Sequence, residues 1–205
     1  MNLYKLKEAE AGFLQRFPLG FDDPEVEQIR KRHNVGQVEK FASTQLTRAR
    51  FNQPDAICDD ALRIVSRSSM VSRFEKPPFR EFVASLNSNG KARFAGALEM
   101  RLYGRNKRAG FEEICDMLAP YKLAKWSVVS SIPFYFAPTR EAFVKPTTAK
   151  RIVRYLEVTE IVYRPFPTWD FYDGYRKLLR EVKANVSPHL APNYAALTGF
   201  LMMSI

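Results

Sequence analysis

Pro146-Thr147-Thr148-Ala149-Lys150-Arg151-Ile152-Val153-Arg154-Tyr155-Leu156 is the stretch on which the reading of the fold turns. At about 100° per residue, Ala149, Ile152, Val153 and Leu156 share one helix face, and Thr147, Lys150, Arg151 and Arg154 share the opposite one. One face belongs in a core and the other is cationic. Pro146 pushes Lys145 out of the helical region, and Thr147 or Thr148 is placed to accept a hydrogen bond from a first-turn amide. The following Val158-Thr159-Glu160-Ile161-Val162-Tyr163-Arg164 is β-branched and aromatic, which leaves room for one short β element over 158–164.

Working outward, helical spacing recurs on both sides. Upstream, Ile57, Ala61, Ile64, Val65 and Val71 form one apolar stripe over Ile57 to Phe74, and Lys76-Pro77-Pro78 reads as a break. Phe79, Phe82, Val83 and Leu86 form the next, with Asn87-Ser88-Asn89-Gly90 as its stop; Phe94, Leu98 and Leu102 form another, and Phe111, Ile114, Cys115 and Leu118 a further one. Residues Tyr121 to Pro138 are nearly all apolar and read as the buried centre, while Phe171, Tyr175, Leu178, Leu179 and Val182 stripe a last long helix from Thr168 or Trp169. Asp22-Asp23-Pro24 marks the first helix start, running to about Asn34, and a second helix is expected from Gln37 to Arg50. The expectation is an all-α or mainly α single domain over 1–205, built of about eight to eleven short helices packed as hairpins. Residues 1–21 read as an aromatic amino-terminal arm and 192–205 as an apolar segment packed on the fold.

Length and composition agree with this. A chain of 205 residues with 46% apolar content buries a sizeable core without disulfides or metals. Cys58 and Cys115 sit among apolar helical neighbours and read as buried thiols of a reducing compartment. The first ten residues carry acids and lack an apolar core, and no run of 18 apolar residues occurs, so the expectation is a cytoplasmic location without membrane insertion.

The net charge of +10 favours polyanionic partners. Its distribution matters more than its size: between Met117 and Arg154, seven cations stand against the single acid Glu141. A second dense patch is Arg101, Arg105, Lys107 and Arg108. Tyr135, Tyr155, Tyr163, Trp169 and Tyr172 lie close enough in sequence to stack bases between those cations, with core packing as the alternative.

Catalytic and metal signals are thin. His33 and His189 belong to no cluster of ligands, and Asp59, Asp60, Glu112 and Asp116 are better explained as acids near helix starts, so no metal or other cofactor is expected. Glu181 and Lys183 resemble a nuclease pair only on a strand, and here their helical pattern turns them about 200° apart. Ser66-Arg67-Ser68-Ser69-Met70 lacks a nucleophile elbow, Arg63, Arg67, Ser68, Ser69 and Arg73 offer at most an anion contact, and the nine glycines form no phosphate loop.

A helix opening with Thr147 and Thr148, carrying Lys150, Arg151 and Arg154, and leading into 158–164 resembles the recognition helix and wing of a winged helix-turn-helix. The resemblance covers roughly a tenth of the chain. Upstream, Ser131-Ile132-Pro133-Phe134-Tyr135-Phe136-Ala137-Pro138 departs from it, being an apolar run where a tight helix turn is expected. The functional expectation is non-catalytic binding of DNA or RNA by the helix at 146–157, through Lys145, Thr147, Lys150, Arg151, Arg154 and Tyr155. The alternative is an interaction or scaffold protein that self-associates through its apolar terminal segments; an enzyme with a dispersed site ranks last because no spacing supports one.

Overall fold

The computed structural model describes residues 1–31 and 35–205. Eleven α-helices and no strand form among them. In chain order they are α1 (Leu3–Arg16), α2 (Pro24–Lys31), α3 (Val35–Gln45), α4 (Pro54–Arg67), α5 (Lys76–Ser85), α6 (Ser88–Tyr103), α7 (Lys107–Leu118), α8 (Trp126–Phe136), α9 (Pro146–Tyr155), α10 (Trp169–Ala184) and α11 (Tyr194–Ser204). Their inward faces share one apolar core.

Helix α8 is the centre, because every one of its residues except Ser127 and Phe136 is buried. Its two buried serines do not strand their hydroxyls: Ser130 Oγ donates to Trp126 O at 2.6 Å and accepts from Val144 N at 2.9 Å, and Ser131 Oγ donates to Val128 O at 2.8 Å. Helices α3, α4, α6 and α7 pack around it. Helices α6 and α7 form a tight hairpin, closed by the short link Gly104 to Asn106 and drawn together at Gly110, where a Cβ would stand 2.5 Å from the Arg101 backbone nitrogen. Beside this body, α11 packs on α1, α9 and α10. Phe13, whose ring is tilted against Phe17 at 5.0 Å and stacked on Phe21 at 5.8 Å, also meets Phe200 of α11 edge-on at 5.3 Å.

Several boundaries differ from the sequence reading. The amino-terminal arm is a full helix, α1, capped by Asn2 Oδ1 accepting from Lys5 N at 3.1 Å. Asn87-Ser88-Asn89-Gly90 is mainly a start: Asn87 accepts from Gly90 N and caps α6. Lys76-Pro77-Pro78 opens α5 instead of only breaking the chain, since proline in a first turn forfeits no intrahelical bond. The helix expected over 57–74 ends at Arg67, where Ser68 Oγ accepts from Met70 N and Val71 N at 3.2 and 3.1 Å. The one expected from Gln37 to Arg50 ends at Gln45, and a separate 3-10 turn spans Arg48–Asn52. The polar helix at Pro24 is α2; Asn34, its expected end, lies outside the described residues.

The β element over 158–164 does not form. A strand needs a partner ladder, and these side chains are spent on helices instead: Ile161 fills the space over Gly174 of α10, and the Tyr163 ring meets Phe171 edge-on at 5.4 Å. The Arg164 carbonyl accepts from the Trp126 indole at 2.7 Å. With no strand, the wing of the winged-helix resemblance is absent.

Candidate nucleic-acid interface

Helix α9 has the two faces its spacing requires. Ala149, Ile152 and Leu156 are fully buried, and Val153 is partly so. Lys145, Thr147, Lys150, Arg151 and Arg154 are exposed. Neither threonine caps the helix: Lys145 occupies the N-cap with no side-chain bond, and Thr148 Oγ1 lies 3.7 Å from Met202 Sδ of α11. The helix ends because Glu157 takes a left-handed conformation, φ 53°, letting Val158 N reach back to Val153 O at 3.0 Å.

That unusual end is tied to α1. Glu157 accepts from Asn2 Nδ2 at 2.7 Å and pairs with Lys5 Nζ at 2.7 Å, while Asn2 N donates to Leu156 O at 2.8 Å. The docking places Lys5 beside α9, with its ammonium 5.7 Å from the centre of the Tyr155 ring and its carbonyl accepting from the Tyr155 hydroxyl at 3.1 Å. Lys5, Arg151, Arg154, Tyr155 and Ile205 together line an open cleft of about 380 Å³ that no acidic side chain enters. Arg151 donates to the backbone oxygen of Ile205. Lys150 covers the Tyr163 ring at 5.3 Å. Lys145, Lys150, Arg151 and Arg154 have no Asp or Glu side chain as partner among the described residues.

Of the six site residues read from sequence, the structure therefore brings five onto one exposed surface and half-buries Tyr155, one face of whose ring is covered by Lys5. The other stacking candidates separate. Tyr135 and Tyr172 are in the core, and Trp169 packs on Phe111 and Tyr172; only Tyr163 stays near α9. Lys5 does not stand out in the sequence, where residues 1–21 read as an arm and not as a helix. The signal that finds it is Leu6, Ala9 and Phe13 at helical spacing after an Asn cap.

The second cationic patch is corrected more deeply. Arg101 is 1% exposed and belongs to the core, not to a surface with Arg105, Lys107 and Arg108. The Ser66 to Met70 segment is likewise committed to structure: Ser68 is buried and 2.9 Å from the Tyr135 hydroxyl, Arg63 pairs with Asp60, and Arg67 and Arg73 lie over Phe41 and Phe74. Asp60 is held by Arg50 at 2.9 Å, and Glu112 by Arg108 at 3.5 Å. No group of three potential metal-ligating side chains converges among the described residues; His189 is exposed, and His33 lies outside them. No described helix is long and apolar enough to cross a membrane.

The chain matches no protein-family model, and no curated protein or solved structure is significantly similar to it.

Proposed function

We propose that this protein binds nucleic acid without catalysing a reaction on it, through the exposed face of α9. Lys145, Thr147, Lys150, Arg151 and Arg154 contact phosphates, and Lys5 and Tyr155 form the wall of the adjoining cleft. The observation that carries this reading is the set of Lys150, Arg151 and Arg154 on one short helix, with Lys145 at its N-cap, none of them paired with an Asp or Glu side chain among the described residues. Elsewhere several exposed cations answer to a neighbouring carboxylate, as Arg93 does to Glu113 and Arg48 to Glu99. Uncompensated charge on a rigid element is what counterion release from a phosphate backbone rewards. The alternative of self-association through the apolar ends is weakened because Phe13, Phe17, Phe21, Leu197, Phe200 and Leu201 are buried within the fold.

The test is fluorescence anisotropy with a generic labelled duplex and a single strand, at two salt concentrations. Four phosphate contacts lower affinity for duplex roughly a hundredfold between about 50 and 200 mM salt. Lys150→Ala/Arg151→Ala/Arg154→Ala removes most of the binding and flattens the salt slope, with far-UV circular dichroism unchanged. Binding that survives the triple substitution at full strength, or no binding at low salt, overturns the reading.

A further inference from the structure

Glu141 lies on the link between α8 and α9 at 3% exposure, and cations from three other helices converge on its carboxylate. Arg101 Nη2 of α6 donates to Oε2 at 2.7 Å, Arg176 Nε of α10 stands 3.5 Å from the same oxygen, and Lys107 Nζ at the start of α7 stands 3.7 Å from Oε1. The Tyr172 hydroxyl donates to Oε2 at 3.0 Å. A fourth cation, Arg140, adjoins them, and its carbonyl accepts from Arg176 Nε at 3.1 Å. The acids facing this group are Asp173, 3.9 Å from Arg176 but held at 2.8 Å by Lys177, and Asp170, bound by Arg108. The cations outnumber the carboxylates available to them.

Arg101 alone balances Glu141. Its guanidinium is stacked on Trp169 and Tyr172 at 5.4 and 5.0 Å, and its buried Nε has no hydrogen-bond partner. Lys107 and Arg176 add surplus positive charge over a carboxylate that is already paired, at side-chain exposures of 36% and 12%. Like charges so placed repel with reduced screening. Burial pulls the Lys107 ammonium below its ordinary value, Glu141 opposes that, and Arg101, Arg176 and Arg140 reinforce it. The first turn of α7 also carries Lys107 and Arg108 and no acid, the reverse of what a helix dipole favours. Lys107 Nζ and Arg176 Nε lie 3.7 and 3.5 Å from the two oxygens of one carboxylate, so at most about 9 Å separates them, and with the Nε hydrogen given to Arg140 O it is the Arg176 Nη groups and the Lys107 ammonium that remain to meet an anion.

We propose that Lys107, Arg140 and Arg176 form a second anion site, which takes the phosphoryl group of a small ligand or free phosphate over Glu141. The site is built on α7, α10 and the link after α8, so it stands or falls independently of the α9 face.

The experiment titrates the full chain with inorganic phosphate, glycerol phosphate and, at matched ionic strength, chloride. The readouts are the side-chain nitrogen resonance of Lys107 and the melting temperature. Phosphate raises the Lys107 pKa and the melting temperature, and chloride does neither. Binding of both phosphates assigns a phosphorylated ligand; binding of inorganic phosphate alone assigns the free ion. Arg140→Ala and Lys107→Ala each weaken binding at least tenfold while sparing the Arg101 to Glu141 pair. Lys150→Ala/Arg151→Ala/Arg154→Ala leaves it unchanged. A Lys107 resonance unmoved by phosphate, an equal response to chloride, or full affinity in both single variants overturns the proposal. Loss of phosphate binding in the α9 triple variant moves the anion to α9 and overturns it as well, leaving the nucleic-acid reading intact.

Discussion

Arg101 and Glu141 meet through Nη2 and Oε2 at 2.7 Å with only 1% and 4% of their side chains exposed, joining α6 to the link that leads into α9. Removing Glu141 strands the buried Arg101 guanidinium, so Glu141→Gln lowers stability by about 3–5 kcal/mol in urea unfolding, and Arg101→Met, which leaves Arg176 and Lys107 beside the carboxylate, costs less. In Arg101→Met/Glu141→Gln the loss is smaller than the sum of the two single losses, because neither charge is left alone.

The same pair gives a pH signature. Burial pushes the Glu141 carboxyl up, but the charge and hydrogen bonds of Arg101, with Arg176 and the Tyr172 hydroxyl, more than reverse this and hold it below its ordinary value of 4.5. A carboxyl depressed in the folded state contributes stability above its unfolded pKa and loses it as pH falls through the folded one. Urea unfolding of the wild type therefore weakens below about pH 4.5, and Glu141→Gln flattens that part of the profile.

Glycine substitutions separate close approach from mere flexibility. Gly110→Ala sets a methyl 2.5 Å from Arg101 N and 2.6 Å from Ala97 O, forces α6 and α7 apart, and costs about 1–3 kcal/mol or more. Gly96→Ala, in the exposed middle of α6 with nothing within 4 Å, stabilises by about 0.5–1 kcal/mol. Thermal melts of the two variants move in opposite directions.

Ser68 ties α4 to α8 through the Tyr135 hydroxyl while holding the turn after α4. Ser68→Ala leaves a buried hydroxyl and two backbone amides without their partner and costs about 1–3 kcal/mol. Tyr135→Phe costs less, since the Ser68 hydroxyl keeps both amides. Chemical denaturation of the pair of variants gives the order.

Burial pushes the Cys58 thiol up to about 11 and the Cys115 thiol up to about 12. Neither supplies thiolate at neutral pH, so a colorimetric thiol reagent reacts with both only after denaturant unfolds the chain. Fast labelling of either cysteine in the folded protein contradicts this placement.

What the sequence discloses depends on where the information resides. The faces of α9 and α10 were legible because helix periodicity is a local property, as was the burial of the apolar run that becomes α8. The 158–164 segment misled because β-branched residues pack as well against helices as within a sheet; nothing local reveals that Ile161 settles on Gly174. Arg101 misled for a related reason. It looks like its basic neighbours Arg105 and Arg108, and only Glu141, forty positions away, draws it inside. Lys5 enters the α9 cleft through a contact between residues 150 positions apart, beyond any periodicity argument.

That last contact divides the molecule by the order in which it can assemble. The α6 and α7 hairpin closes across a few residues and forms early at small loop-closure cost. The unit of α1, α9 and α11 waits until the two ends of the sequence meet, and Lys5 and Tyr155 become neighbours only then. The cationic cleft therefore rests on contacts of long sequence separation, and a change that undocks α1 takes Lys5 from its wall without touching the α6 and α7 hairpin.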